Sequence, residues 1–147
     1  MAFAQLKKAD GSEAGSVQMW RGPQGVVMRV EGRGWPEGWH ATHLHAVGSC
    51  EEPGFTSAGG HVNHAPSPRP HGLLNEAGPD GGDLQNVYAS AQAGVARAEL
   101  YLAGDPNRLL DEDGLAFVVH AGPDDHYSQP IGGAGARIAC GVFQRAG

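Results

Sequence analysis

Apolar positions in this chain come in short runs, and glycine, proline and acidic residues separate them. The run 2–8 alternates loosely between apolar and polar and ends at the turn pair Asp10-Gly11. Runs 17–21 and 25–31 predict a second and third strand, parted by Gly22-Pro23. Run 41–46 is a short strand carrying two histidines. From 47 to 82 the periodicity vanishes, across a stretch with Cys50, five prolines, many glycines and three histidines. A loop of that length inside a compact domain is functional or disordered, and its histidines favour function. Strands resume at 84–89 and 96–102, and 115–120 is strongly apolar. A second long loop, 121–136, precedes a last strand at 137–143. The pattern predicts an all-β protein: an eight-stranded Greek-key flattened barrel, an immunoglobulin-like sandwich, with two long functional loops. No linker or repeat divides the chain, so residues 1–147 are expected to form a single domain.

Composition agrees. With 24 glycines, 10 prolines and only 18% charged residues, the chain is unlike a helix bundle. A net charge of −6 argues against nucleic acid as a partner. It also means that an anionic substrate must be drawn in by a local positive field. No apolar stretch reaches the length of a membrane span. The opening segment, Met1-Ala-Phe-Ala-Gln-Leu-Lys-Lys8, has the wrong order of charge and hydrophobicity for a signal peptide. Cys50 and Cys140 are either two separate buried thiols or one disulfide, and composition does not choose between them.

Histidine changes the picture most. The chain has 8, and five lie between His43 and His71, a density that points to metal. His43 and His45 alternate on a predicted strand and share a face. His61 and His71 lie in the first long loop, followed by Asp80 and Asp83, and His120 ends the apolar strand. Singly, each is weak; a histidine at a strand end is more often a satisfied polar residue than a ligand. Together they point to a metal site.

Five segments, in order, resemble the copper/zinc superoxide dismutase family, bacterial type. They are Gly38-Trp-His-Ala-Thr-His-Leu-His45, Thr56-Ser-Ala-Gly-Gly-His-Val-Asn63, Gly82-Asp-Leu-Gln-Asn-Val87, Val118-Val-His120 and Gly133-Ala-Gly-Ala-Arg-Ile-Ala-Cys-Gly-Val142. The resemblance implies a superoxide dismutase that converts superoxide to oxygen and hydrogen peroxide by copper redox cycling. It implies copper on His43, His45, His61 and His120, and zinc on His61, His71 and Asp83, with His61 bridging. Arg137 would hold the superoxide anion, and His61 would carry a proton. Asp124 would be the carboxylate linking the two sites' histidines. Cys50 and Cys140 would form a disulfide, which implies export to the periplasm, with any signal segment already removed. A homodimer is the open expectation for assembly.

Two features depart from the family pattern. Asp80 stands where a third zinc histidine is usual. Either it completes a site of two histidines and two aspartates, or His64 replaces it, or no fourth protein ligand is present. The loop 123–131 has no Lys or Arg, so steering is expected to be weak and to rest on Arg137, with Arg69 as a helper. His40, at an odd offset from His43, is expected to be structural, and His126 to lie off the metals. Trp35 and Trp39 are expected to pack. Competing readings are a non-enzymatic metal-binding relative and a copper-only dismutase.

Overall fold

The alternation at the N-terminus becomes β1 (Ala2–Lys8), with Ala2, Ala4 and Leu6 buried and Phe3 and Gln5 turned outward. This computed structural model describes residues 1–63, 68–106, 109 and 114–145. Eight further strands follow: β2 (Glu13–Arg21), β3 (Gly25–Gly32), β4 (Gly38–His40), β5 (Thr42–His45), β6 (Val87–Ala89), β7 (Ala96–Ala103), β8 (Ala116–His120) and β9 (Arg137–Arg145). Thr56–Ala58 forms a short 3-10 turn in the first long loop. At the first hairpin, Asp10 accepts hydrogen bonds from the Ser12 N–H and hydroxyl, fixing the predicted turn.

Nine strands stand where the pattern predicts eight. The expected run 41–46 is β5, paired with β8; the extra strand is β4, three residues just before that run, which pairs with β6. β2 starts at Glu13, where Glu-Ala-Gly-Ser lacks an apolar alternation but is drawn into the ladder by β1. β6 is shorter than expected.

All strand pairs are antiparallel, in the order β4-β6-β7-β3-β2-β1-β9-β8-β5. The two end strands are consecutive in the chain, joined through Ala41, so the sheet curls into a nearly closed barrel. The β3–β4 connection passes over β7 and β6, as in a Greek key.

The barrel interior holds Leu6, Met19, Met28, Leu44, Leu84, Leu115 and Phe117, all fully buried. Side chains of this kind contribute about 1.5–3 kcal/mol each when fully buried. A second, smaller cluster lies outside the barrel wall: Cys50, Phe55, Ala58, Ala116, Val118 and Cys140. β8 is therefore buried on both faces, which is why its sequence reads as an unbroken apolar run. The Cys50–Cys140 disulfide staples the first loop to β9 across 90 residues of sequence, with a Cα–Cα distance of 5.7 Å. Trp35 packs as expected and its indole N–H donates to the Ala14 carbonyl. Trp39 does not: it is 57% exposed and stacks edge-on against Tyr88 on the outer side of β4 and β6. Its alternation on β4 puts it opposite buried His40.

The open edge of β5 positions the site. The Leu44 N–H donates to the Gly82 carbonyl and the Val62 N–H to the Leu44 carbonyl, each at 2.9 Å. The long loop is thereby laid along β5 as a substitute strand, setting His61 opposite His45 and Asp83 opposite His43. Gly82 is required here, since a Cβ would stand 2.2 Å from the Leu44 carbonyl oxygen.

Candidate metal centre

β5 turns Leu44 into the barrel and His43 and His45 outward, under the loops. His120, at the end of neighbouring β8, joins them from the same side. The centroid of the His43 ring lies 4.1 Å from that of His61 and 5.0 Å from that of His120, and His45 is 5.0 Å from His61.

Each ring is anchored through one nitrogen. The His43 Nε2 lies 2.7 Å from Asp124 Oδ2. The Nδ1 of His45 donates to the Gly59 carbonyl at 2.7 Å, and that of His120 to the Gly135 carbonyl at 2.9 Å. The His61 Nδ1 lies 2.7 Å from Asp80 Oδ2. At His43, His45 and His120 these contacts put the proton on the anchored nitrogen and leave a lone pair on the other. The opposite nitrogens, Nδ1 of His43 and Nε2 of His45, His61 and His120, are buried without a hydrogen-bond partner. Buried polar atoms left bare cost about 1–3 kcal/mol each; donor atoms of His43, His45 and His120 converge, with the bare Nε2 of His61 on the adjacent ring, and such a set fits a metal ion that imidazole suits, such as copper. Protonation does not compete at three of these rings. Burial holds His45 down to about 2 and His120 down to about 4, and lowers His43 as well.

A second pocket adjoins the first through the ring of His61. Burial lowers that histidine, but hydrogen bonds to Asp80 and Asp83 outweigh it and raise the ring to about 9. His61 Nδ1 is 2.7 Å from Asp80 Oδ2 and 3.6 Å from Asp83 Oδ1. The Nδ1 of His71 contacts Asp83 Oδ1 and lies 3.9 Å from Asp80 Oδ2. Two nitrogens and two carboxylate oxygens thus face one point, a donor set zinc accepts. Donor atoms of His43, His61, His71 and Asp83 lie within 4.8 Å of one another, as do those of His43, His45 and His120. Asp80 falls outside the first group, although its Oδ2 contacts His61. Backbone hydrogen bonds aim both carboxylates: Asp83 accepts from Gly72 and Asp80 N–H, and Asp80 from Gly82 N–H. His64 lies outside the described residues.

Asp124 ties the pockets together. Its Oδ2 accepts from His43 Nε2 at 2.7 Å and its Oδ1 from His71 Nε2 at 2.9 Å. Burial raises its carboxyl, but these histidines and the His126 N–H prevail and hold it at about 2. The main chain of Asp124 is gripped by Asn86, which accepts from its N–H at 2.9 Å and donates to its carbonyl at 3.0 Å. Gln129 grips His71 the same way, at 2.9 and 2.6 Å. Neither amide had been given a role. Asn86 lies in the Gly-Asp-Leu-Gln-Asn segment and was legible there; Gln129 carries no local signal.

Arg137, at the start of β9, donates from Nη1 to the Phe55 carbonyl and from Nη2 to the Gly59 carbonyl, both at 2.8 Å. It lines a cleft of about 410 Å³ with His45, His61 and Arg69. His40 is structural: buried, its ring nitrogens lie 2.7 Å from the His120 carbonyl and 2.6 Å from the Pro36 carbonyl. His126 accepts from Asn86 at 3.3 Å and stands outside both donor groups.

A β-barrel with two adjoining donor pockets sharing one histidine defines a two-metal protein of the dismutase class. The sequence pattern of the copper/zinc superoxide dismutase (SODC) family matches residues 13–143, and the chain belongs to that family. The Cu-Zn superoxide dismutase of Caulobacter vibrioides is 49% identical, with 97% of this chain and 85% of that protein covered. Among solved structures, a SOD-like protein from Bacillus subtilis superposes with a TM-score of 0.84 at 30% identity, covering 95% and 96% of the two chains. The Cu/Zn superoxide dismutase from Brucella abortus gives 0.79 at 27%, covering 98% and 100%.

Proposed function

We propose that this enzyme, a copper/zinc superoxide dismutase acting as one domain over residues 1–147, holds copper on His43, His45, His61 and His120. Zinc is held by His61, His71, Asp80 and Asp83. Copper, when bound, supplies the one-electron redox cycling that turns two superoxide anions and two protons into oxygen and hydrogen peroxide. The observation that carries the reading is the set of four buried, unpartnered imidazole nitrogens beside Arg137.

The chain's own residues do the rest. Arg137 presents a fixed guanidinium to the anion, because two carbonyls hold its other donors. His61 spans the pockets through both ring nitrogens and carries the proton that peroxide formation needs. Asp124 orients His43 and His71 from outside the pockets.

The disulfide fits an extracytoplasmic protein, and we place it in the periplasm. No helix among the described residues is long and apolar enough to cross a membrane. Neither nucleic acid nor membrane is assigned as a partner. A homodimer is proposed, and light scattering giving the mass of one chain would refute it.

Protein reconstituted with copper and zinc is expected to remove superoxide far faster than free copper in the same buffer. His43→Ala abolishes the rate, and Arg137→Ala lowers it by about ten- to a hundredfold while copper stays bound. A full rate in Arg137→Ala would remove the arginine from the reaction.

A further inference from the structure

His71 stands in a stretch that no strand supports. Residues 68–80 contain neither helix nor strand, yet His71 is buried, so its backbone groups need other partners. Side-chain amides supply them at two positions. Asn63 Oδ1 accepts from the Arg69 N–H at 3.1 Å, and Asn63 Nδ2 donates to the Arg69 carbonyl at 2.9 Å. Pro70 follows, with no N–H to place. Gln129 repeats the pattern on His71 from the second loop: its Oε1 accepts from the His71 N–H at 2.9 Å and its Nε2 donates to the His71 carbonyl at 2.6 Å.

The amide of Gln129 is itself fixed. Its Nε2 also donates to the Tyr127 carbonyl at 2.9 Å. Beside it the two loops touch again: the Leu74 N–H donates to the His126 carbonyl at 3.0 Å, and a Cβ on Gly72 would stand 2.4 Å from that same oxygen. The imidazole of His71 is held at Nε2 by Asp124, 2.9 Å away. Asp124 and Gln129 both belong to the second loop, so one fixes the tip of the ring and the other the main chain it hangs from. A ring held at its tip alone would swing with the chain and carry Nδ1 away from Asp83. The main chains of His43, His45 and His120 lie in the β5–β8–β9 ladder, and that of His61 bridges to His45. His71 has neither support.

We infer that Gln129 is the positioning residue of His71, setting the second donor pocket without touching the first. The inference rests on the zinc assignment of that pocket, and it is measured by metal binding instead of turnover.

The copper-loaded protein is titrated with zinc against a chromophoric chelator, and separately with cobalt(II), whose visible absorption reports the donor geometry around it. Gln129→Met keeps the length of the side chain and removes its hydrogen bonds. Gln129 is exposed, so the change leaves the core intact. Zinc affinity is expected to fall about 10–100-fold, and the cobalt bands at saturation should weaken and shift, while copper affinity stays at the parent's value. Zinc affinity and cobalt bands equal to the parent's overturn the inference. So does an equal loss of zinc and copper, because that marks a general loosening of both loops. A parent protein that takes neither zinc nor cobalt in this pocket refutes the zinc assignment itself, and the inference with it.

Discussion

Asp124 is buried between two imidazoles and decides which nitrogen of each is free. Its carboxylate accepts from Nε2 of His43 and of His71, leaving Nδ1 of both for the pockets. The substitution Asp124→Asn keeps the shape but replaces one acceptor oxygen with an NH2 group that cannot accept. One histidine then loses its orienting partner. His71 has Asp83 and Gln129 around it but, among the described residues, only Asp124 at Nε2, so the zinc pocket should suffer most. Zinc affinity is expected to fall about 10–100-fold, read by competition with a chromophoric chelator. An unchanged affinity would mean that the aspartates and Gln129 alone hold the ring. Gly132 protects the same side chain: its φ is +67°, and a Cβ there would stand 1.8 Å from Asp124 Oδ1. Gly132→Ala should therefore mimic Asp124→Asn in the same competition assay, and zinc affinity equal to the parent's would count against that.

Among the elements, the first long loop has the largest consequences. It carries the Gly59 carbonyl, which accepts from both His45 and Arg137. One backbone group thus couples the His45 imidazole to the Arg137 guanidinium. Cys50 fastens this loop to β9, the strand on which Arg137 begins. Replacing both cysteines with serine should cost at most about 5 kcal/mol of stability by the loop-closure argument, measured by denaturant melts. The rate per bound copper should also drop, because the carbonyls that fix the guanidinium would be less firmly placed. A variant that loses stability but keeps its rate per copper would separate the staple from the site. At this scale the sequence was readable wherever a strand is buried in a simple way. β1 alternates and β8 is continuous, and both appear as expected. β4 was hidden because three residues carry too little alternation to mark a strand, and its existence depends on meeting distant β6, which no local pattern records.

For the molecule as a whole, the buried histidines set how stability varies with pH when metals are removed. His45 and His120 sit far below their ordinary value of 6.5, at about 2 and about 4. The unfolded chain then binds more protons than the folded one below 6.5, so their contribution is present above 6.5 and lost as pH falls from there. His61 runs the other way. Raised from 6.5 to about 9, it contributes fully below 6.5 and loses its contribution as pH rises through 9. Asp124, held at about 2 instead of 3.8, adds a further loss at the acid end. The melting temperature of chelator-treated protein should therefore peak near pH 6.5 and fall on both sides. Calorimetry at pH 5, 6.5 and 9 tests this, and a flat profile would show that the rings relax into water once metal is gone.

By itself the sequence determined the fold class, the metal-binding character and the family, because strand period, histidine density and ordered motifs are local properties of the chain. It also named Cys50 and Cys140 without settling their pairing, and Asp80 without placing its carboxylate. Those depended on tertiary structure. The disulfide forms because the first loop packs Phe55 and Ala58 on the outer face of β8 and β9. Asp80 reaches His61 because the loop is laid along the open edge of β5, which only a glycine at 82 permits. The grips of Asn86, Gln129 and Asn63 likewise join residues up to 58 positions apart. Such contacts are set by the closing of the barrel and the docking of both loops on it, and no local stretch of sequence encodes that geometry.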